Sequence, residues 1–175
     1  MSVFISLLRG VNVGQRQMKM AELKEVYEGL GYTSVQTYLQ SGNVVFSAKP
    51  SARLSERIRE AIEKRFGFEV PVLILTPDRV NEIIAENPLQ SEAGVDPAFL
   101  HFTFLLEVGK GPLPAEIPAV TAERAVLGRN GVYLYCPGGY GRTKLSNTYF
   151  ERVLKTSATT RNWRTILALE ALARS

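Results

Sequence analysis

The chain has 175 residues, 45% of them apolar and 22% charged, with a net charge of +4. This length suits one domain of ordinary size or two small ones, and no stretch approaches the ~20 consecutive apolar residues of a membrane-spanning helix. A single cysteine excludes an internal disulfide and fits a reducing cytoplasm, while one histidine and two aspartates leave too few ligands for a metal cluster, so no metal or cofactor is expected.

The N-terminus does not read as a secretory signal, since its short apolar run has no basic residue before it and no cleavage site after it. The charge is uneven along the chain. Residues 121–175 carry nine Lys/Arg against three Asp/Glu, a balance of +6, and the first 120 residues carry twelve against fourteen, a balance of −2. A local basic excess either attracts an anion (nucleic acid, a phosphorylated metabolite, an acidic partner) or serves only as a solvated face.

In chain order, residues 3–9 read as a strand of mostly branched apolar residues stopped by Gly10. Met20, Leu23, Tyr27 and Leu30 recur at helical spacing, with Gly31 as the stop. Val35, Thr37 and Leu39 alternate along a second strand, Ser41-Gly42-Asn43 turns the chain, and residues 44–46 return it. Leu54, Ile58, Ala61, Ile62 and Phe66 mark a second helix closed by Gly67, and residues 70–75 form a fourth strand. The order β-α-β-β-α-β is that of a ferredoxin-like domain.

Thr76-Pro77 opens a further helix with Val80, Ile83 and Ile84 on its apolar face, ended by Asn87-Pro88, and residues 88–98 read as a loop. The second half repeats the pattern of the first. Residues 99–107 form a strand, 109–114 a break and 115–120 a short helix; 124–127 and 132–135 are strands around an Asn130-Gly131 turn. One helix then carries Phe150, Val153 and Leu154. A last helix is opened by Arg161-Asn162, capped by Thr159 or Thr160, and carries Trp163 with Ile166, Leu167 and Leu169; it takes the place of the final strand. The expected fold is therefore α+β, with two tandem ferredoxin-like halves at 1–76 and 99–175 joined by a helix and loop at 77–98. The second half is modified and ends in a C-terminal helix.

Several segments carry a family resemblance: residues 7–14 (Leu-Leu-Arg-Gly-Val-Asn-Val-Gly), Lys19-Met20, residues 37–46 (Thr-Tyr-Leu-Gln-Ser-Gly-Asn-Val-Val-Phe) and residues 161–165 (Arg-Asn-Trp-Arg-Thr). Together they resemble the bacterial domain-of-unknown-function family numbered 1697, over nearly the whole chain. The resemblance implies a cytosolic α+β protein of two ferredoxin-like halves, and no reaction. The chain departs from the pattern at Gln15-Arg16, where a further glycine is expected.

The polar residues fall into a few constellations. Arg9, Asn12 and Lys19 surround the loop after the first strand, where glycines let a backbone approach a ligand or simply permit a turn. Tyr38, Gln40, Ser41 and Asn43 gather at a hairpin tip, with turn chemistry as the plain alternative. Gly138-Gly139-Tyr140-Gly141-Arg142-Thr143-Lys144 lacks the spacing of a phosphate-binding P-loop, yet Arg142 and Lys144 suit an anion. Arg161 and Asn162 face a ligand or the other half, whereas Trp163 belongs to the core. The expected function is a binding module in which Arg9, Asn12, Lys19, Tyr38, Ser41, Asn43, Arg142, Lys144, Arg161 and Asn162 hold a phosphate-bearing small molecule or nucleic acid in a cleft between the halves. The alternatives are an enzyme of hydrolase or transferase type using Ser41, Tyr38 or the lone His101, and an interaction module acting as a homodimer.

Overall fold

A computed structural model describes residues 1–106, 123–129 and 131–175. The end of the fifth strand at Glu107, the break at 109–114, the helix at 115–120 and the Asn130 half of the hairpin turn lie outside the described residues. The rest forms two compact units, Met1–Asn81 with Leu169–Ser175, and Glu82–Ala168. Together the described residues form two four-stranded antiparallel sheets and five α-helices.

The first unit runs β1 (Ser2–Leu8), α1 (Met20–Gly29), β2 (Thr33–Tyr38), β3 (Asn43–Ala48), α2 (Leu54–Phe66) and β4 (Val72–Leu75), with sheet order β2-β3-β1-β4. Both helices form for the reason the spacing predicts. Met20, Leu23 and Tyr27 bury one face of α1, Leu54, Ile58 and Ile62 one face of α2, and α2 stops at Gly67 in the left-handed region. These side chains pack on Phe4, Leu8, Val44 and Phe46. Ile5, Leu7 and Val45 alternate with them on the opposite face and are buried as well. A central strand covered on both faces is written as an unbroken apolar run, which is what residues 3–8 show, with one exception. Ser6 is fully buried, and its hydroxyl meets the Tyr27 hydroxyl at 2.7 Å. Burial holds the Tyr27 phenol far above its usual titration range.

The second unit runs β5 (Leu100–Leu105), β6 (Arg124–Leu127), β7 (Gly131–Tyr135), α4 (Asn147–Leu154) and β8 (Ala158–Asn162), in the order β6-β7-β5-β8. α3 (Pro77–Ala85) precedes it and α5 (Trp163–Arg174) follows, and the boundaries between the units fall inside these two helices. Phe102 packs edge-on against Phe104 and Tyr133, with ring centroids 4.8 and 4.7 Å apart. Val132, Leu134 and Ala158 pack with Phe150 and Leu154 of α4.

Four sequence expectations are corrected here. The final strand of the second half is present: Ala158–Asn162 pairs with β5 from His101↔Asn162 to Leu105↔Ala158. Arg161 and Asn162 consequently belong to β8, and α5 is capped by Asn162, whose Oδ1 accepts the Thr165 N–H at 2.8 Å, in place of Thr159 or Thr160. Phe99 closes a 3-10 turn, Pro97–Phe99, and the strand begins one residue later. Leu167 is exposed, so the buried face of α5 is Trp163, Ile166 and Leu169.

Removing the Tyr27 hydroxyl leaves Ser6 Oγ with only a long bond to the Val44 carbonyl, at 3.4 Å. Tyr27→Phe is expected to cost about 1 kcal/mol of stability, read as a lower urea midpoint at unchanged slope.

Candidate functional site

The loop after β1 is built around one side chain. Asn12 sits in the left-handed region at φ 55, flanked by Gly10 at φ 71 and Gly14 at φ 57. Its Oδ1 accepts the Met18 N–H at 2.7 Å, and its Nδ2 donates to the Gln40 carbonyl at 2.5 Å. One amide therefore closes the loop on itself and ties it to the hairpin tip between β2 and β3. A second tie is the Leu8 N–H, which donates to the Gly42 carbonyl at 2.8 Å. Gly42 is required there: at φ 80, a Cβ would lie 2.7 Å from both Leu8 Cβ and Val11 Cγ2. Asn43 is fully buried and donates from Nδ2 to the Tyr38 carbonyl at 2.8 Å and to Ser41 Oγ at 2.9 Å.

The structure thus brings Arg9, Asn12, Lys19, Tyr38, Ser41 and Asn43 into one loop-and-hairpin assembly. Asn12, Ser41 and Asn43 hold its shape. Arg9 is half-buried, with its backbone N–H on the Pro71 carbonyl at 3.0 Å. Lys19 is exposed and stands at the N-cap of α1, one residue before the first turn to which its spacing assigned it. Leu39, expected in the strand, lies at φ 56 in the turn and is exposed, as is Val13 beside Asn12. Arg16 is the residue that sequence reasoning passed over. Its guanidinium carbon lies 5.9 Å from the Phe68 ring centroid, its Nη1 is 3.8 Å from where a Gly10 side chain would begin, and it reaches the Glu69 carbonyl at 3.5 Å.

In the second unit the expected residues do not all act alike. Lys144 lines an open groove of about 410 Å³ with Leu145, Ser146, Thr148, Tyr149 and Arg152, the last 5.7 Å from the Tyr149 ring centroid. Ser146 caps α4 by accepting the Tyr149 N–H at 3.2 Å. Arg142 is exposed in the 3-10 turn Tyr140–Arg142. Arg161 is buried, only 8% exposed, and donates from Nη1 to Thr159 Oγ1 at 2.7 Å and to the Thr160 carbonyl at 3.0 Å. Burial outweighs the help that Tyr140 gives its charge and pulls its pKa down to about 10. A chain of side-chain bonds, the Thr103 and Thr160 hydroxyls at 2.8 Å and the Thr160 hydroxyl donating to Asn147 Oδ1 at 2.7 Å, ties β5, β8 and α4 together.

With this geometry in place, known proteins supply a frame. The family model described as "Protein of unknown function (DUF1697)" matches residues 1–133. The chain belongs to this family. Its fold is similar to that of the conserved bacterial protein SP0830 from Streptococcus pneumoniae, at a TM-score of 0.74 and 23% identity over 99% of each chain. A search of curated proteins finds no match.

The chemistry open to this DUF1697 chain follows from what its polar groups can do. The Asn43 amide that meets Ser41 Oγ donates to it and has no lone pair on nitrogen to take its proton, so it does not activate Ser41 as a nucleophile. His101, the one histidine, belongs to the other unit. Among the described residues no group of three His, Cys, Asp or Glu side chains can hold a metal ion, and no helix is long and apolar enough to cross a membrane. Cys136 is buried, and burial raises its thiol pKa against a Thr143 hydrogen bond that lowers it.

Asn12→Ala removes both side-chain hydrogen bonds of Asn12 and leaves the Leu8–Gly42 backbone bond. It is expected to cost about 2 kcal/mol, with faster amide exchange across residues 10–18 as the measurement. Burial lowers the pKa of His101 below its ordinary value, against a Phe99 carbonyl bond that raises it. The unfolded chain therefore takes up the proton first as pH falls, so unfolding free energy drops below pH 6.5, about the ordinary histidine pKa. Comparing urea midpoints at pH 7.5 and 5.5, His101→Gln is expected to lose less stability than the parent chain.

Proposed function

We propose that the protein is a binding module for a phosphate-bearing small molecule, held at the loop between β1 and α1. The observation that carries this reading is the loop itself. Three cations, Arg9, Arg16 and Lys19, stand between residues 9 and 21 with no carboxylate among them, on a backbone locked in advance by Asn12 and Gly42. A cationic loop that is already ordered loses little entropy when it receives an anion. Arg16 and Lys19 are exposed and supply the charge, Arg9 is half-buried at the start of the loop, Tyr38 and Ser41 stand on the hairpin side, and the buried Asn43 holds the hairpin in shape. Arg142 and Lys144 give the second unit an anionic preference of its own, shared with Arg152 across the groove on α4.

A small ligand is favoured over nucleic acid by the burial of Ile5, Leu7 and Val45. Single-stranded RNA is read on an open sheet face carrying aromatic side chains, and that face of the first sheet is covered. The same burial removes the exposed sheet that a homodimer would cover. The order β2-β3-β1-β4 with intervening α1 and α2 supports a ferredoxin-like first unit, and the matching order β6-β7-β5-β8 supports its duplication in the second. A reducing cytoplasmic setting suits the buried free thiol of Cys136.

Calorimetric titration with inorganic phosphate, pyrophosphate and a nucleoside triphosphate tests the reading. Arg16→Ala/Lys19→Ala is expected to keep its thermal midpoint, since both side chains are exposed, and to bind at least tenfold more weakly. Binding unaffected by the double substitution, or no binding by the parent chain, overturns it.

A further inference from the structure

The loop after β1 and the β2–β3 hairpin carry apolar side chains where folding gives no reason for them. Residues 13–17 of the loop and 39–41 of the hairpin are exposed throughout. The first stretch is closed as a turn by the Arg16 N–H on the Val13 carbonyl at 3.2 Å. The bond from Asn12 Nδ2 to the Gln40 carbonyl joins the two tips, and an exposed aliphatic residue stands beside each of its partners. Val13 follows Asn12 and is 59% exposed; Leu39 precedes Gln40 and is 55% exposed.

Leu39 is the sharper case. Its backbone lies at φ 56, in the left-handed region, where a bulky L residue is strained and glycine or asparagine is at ease. Asn12 at φ 55 and Gly42 at φ 80 follow that preference in the same assembly. Leucine gains little from packing in return, because more than half of its surface is in water. A residue that is strained and exposed together weakens the hairpin, and strain kept at the expense of stability points to a contact with something outside the chain. The surrounding charge indicates the chemistry of that partner. Arg16 and Lys19 are exposed, and no carboxylate lies between residues 9 and 21. The cations call for an anion, and an apolar group attached to that anion covers Val13 and Leu39.

We propose, on the basis of the loop reading above, that the ligand of this loop is a phosphate monoester whose ester group is apolar, an aryl phosphate being the simplest case. Arg16 and Lys19 take the phosphate oxygens, and the ester group lies across Val13 and Leu39, where each apolar surface removes the other from water. The ligand is a free small molecule and not the headgroup of a lipid in a bilayer. Two aliphatic tips offer less apolar surface than one acyl chain, and one acyl chain holds a protein to a membrane only marginally.

Phenyl phosphate and methyl phosphate, both dianions at pH 8, are titrated calorimetrically against the parent chain. Phenyl phosphate is expected to bind at least tenfold more tightly. Leu39→Asn is expected to raise the thermal midpoint, since asparagine relieves the strain, and to cut the preference for phenyl phosphate at least threefold. Val13→Ser, at an exposed position, is expected to keep its thermal midpoint and to lower the same preference. Equal affinities for the two esters in the parent chain, a full preference in the Val13→Ser/Leu39→Asn chain, or binding to phosphatidylserine vesicles that phenyl phosphate does not displace would overturn the proposal. The two readings fail differently. Methyl phosphate binding that weakens in Arg16→Ala/Lys19→Ala, with no gain from the phenyl group, sinks this proposal and leaves the loop reading standing; no binding of either ester sinks both.

Discussion

The inner strands β1 and β5 are buried along most of their length, and this constrains where the candidate polar residues of each unit can stand. β1 has Phe4 and Leu8 on one face and Ile5 and Leu7 on the other, all buried. β5 has Leu100, Phe102 and Phe104 on one face and Thr103 on the other, again buried. An unpaired polar side chain in the middle of such a strand would cost several kcal/mol, on the order of the net stability of a small domain. Polar chemistry is thereby displaced to the strand ends and the loops that leave them. Arg9 lies just past the end of β1, His101 near the start of β5, and Arg161 near the end of β8, where backbone and hydroxyl oxygens can receive it.

Within that constraint the two units hold their candidate residues by different means. The first uses a side-chain amide: Asn12 replaces the hydrogen bonds that a longer stretch of regular structure would have made, and so fixes a left-handed backbone. The second uses stacking and hydroxyls, with Tyr140 on His101 and Thr103, Thr160 and Asn147 in a row.

The sequence was legible wherever burial followed a period. β1, α1, α2 and β3 carry apolar residues at the spacing of their element, and Gly31 and Gly67 mark where the helices stop; the chain's membership of its family was equally readable from motifs such as residues 7–14. β8 was not legible. Ala-Thr-Thr-Arg-Asn has no apolar alternation, because hydroxyls and a guanidinium satisfy it through Thr103, Asn147 and Thr159 from distant or neighbouring positions. Arg161 accordingly read as the opening of the last helix, facing a ligand or the other half, although it is buried in β8. Arg16 was missed for a related reason. Its role comes from folding back over Gly10 toward Phe68, a contact that spans more than fifty residues of sequence and leaves no local signal. Leu39 looked like strand by alternation, and the turn geometry imposed by Gly42 and Asn43 overrode it.

The buried pair of Ser6 and Tyr27 has a consequence for how the first sheet assembles. In an otherwise uniform apolar strand, sliding β1 by one residue against β3 would cost little in hydrophobic matching alone. The slip would present Ile5 or Leu7 to the phenol of α1 and strand its hydroxyl in a dry interior. Misaligned pairings are thus penalised at a single position, and the lone serine serves as the index mark by which β1 recognises its correct alignment.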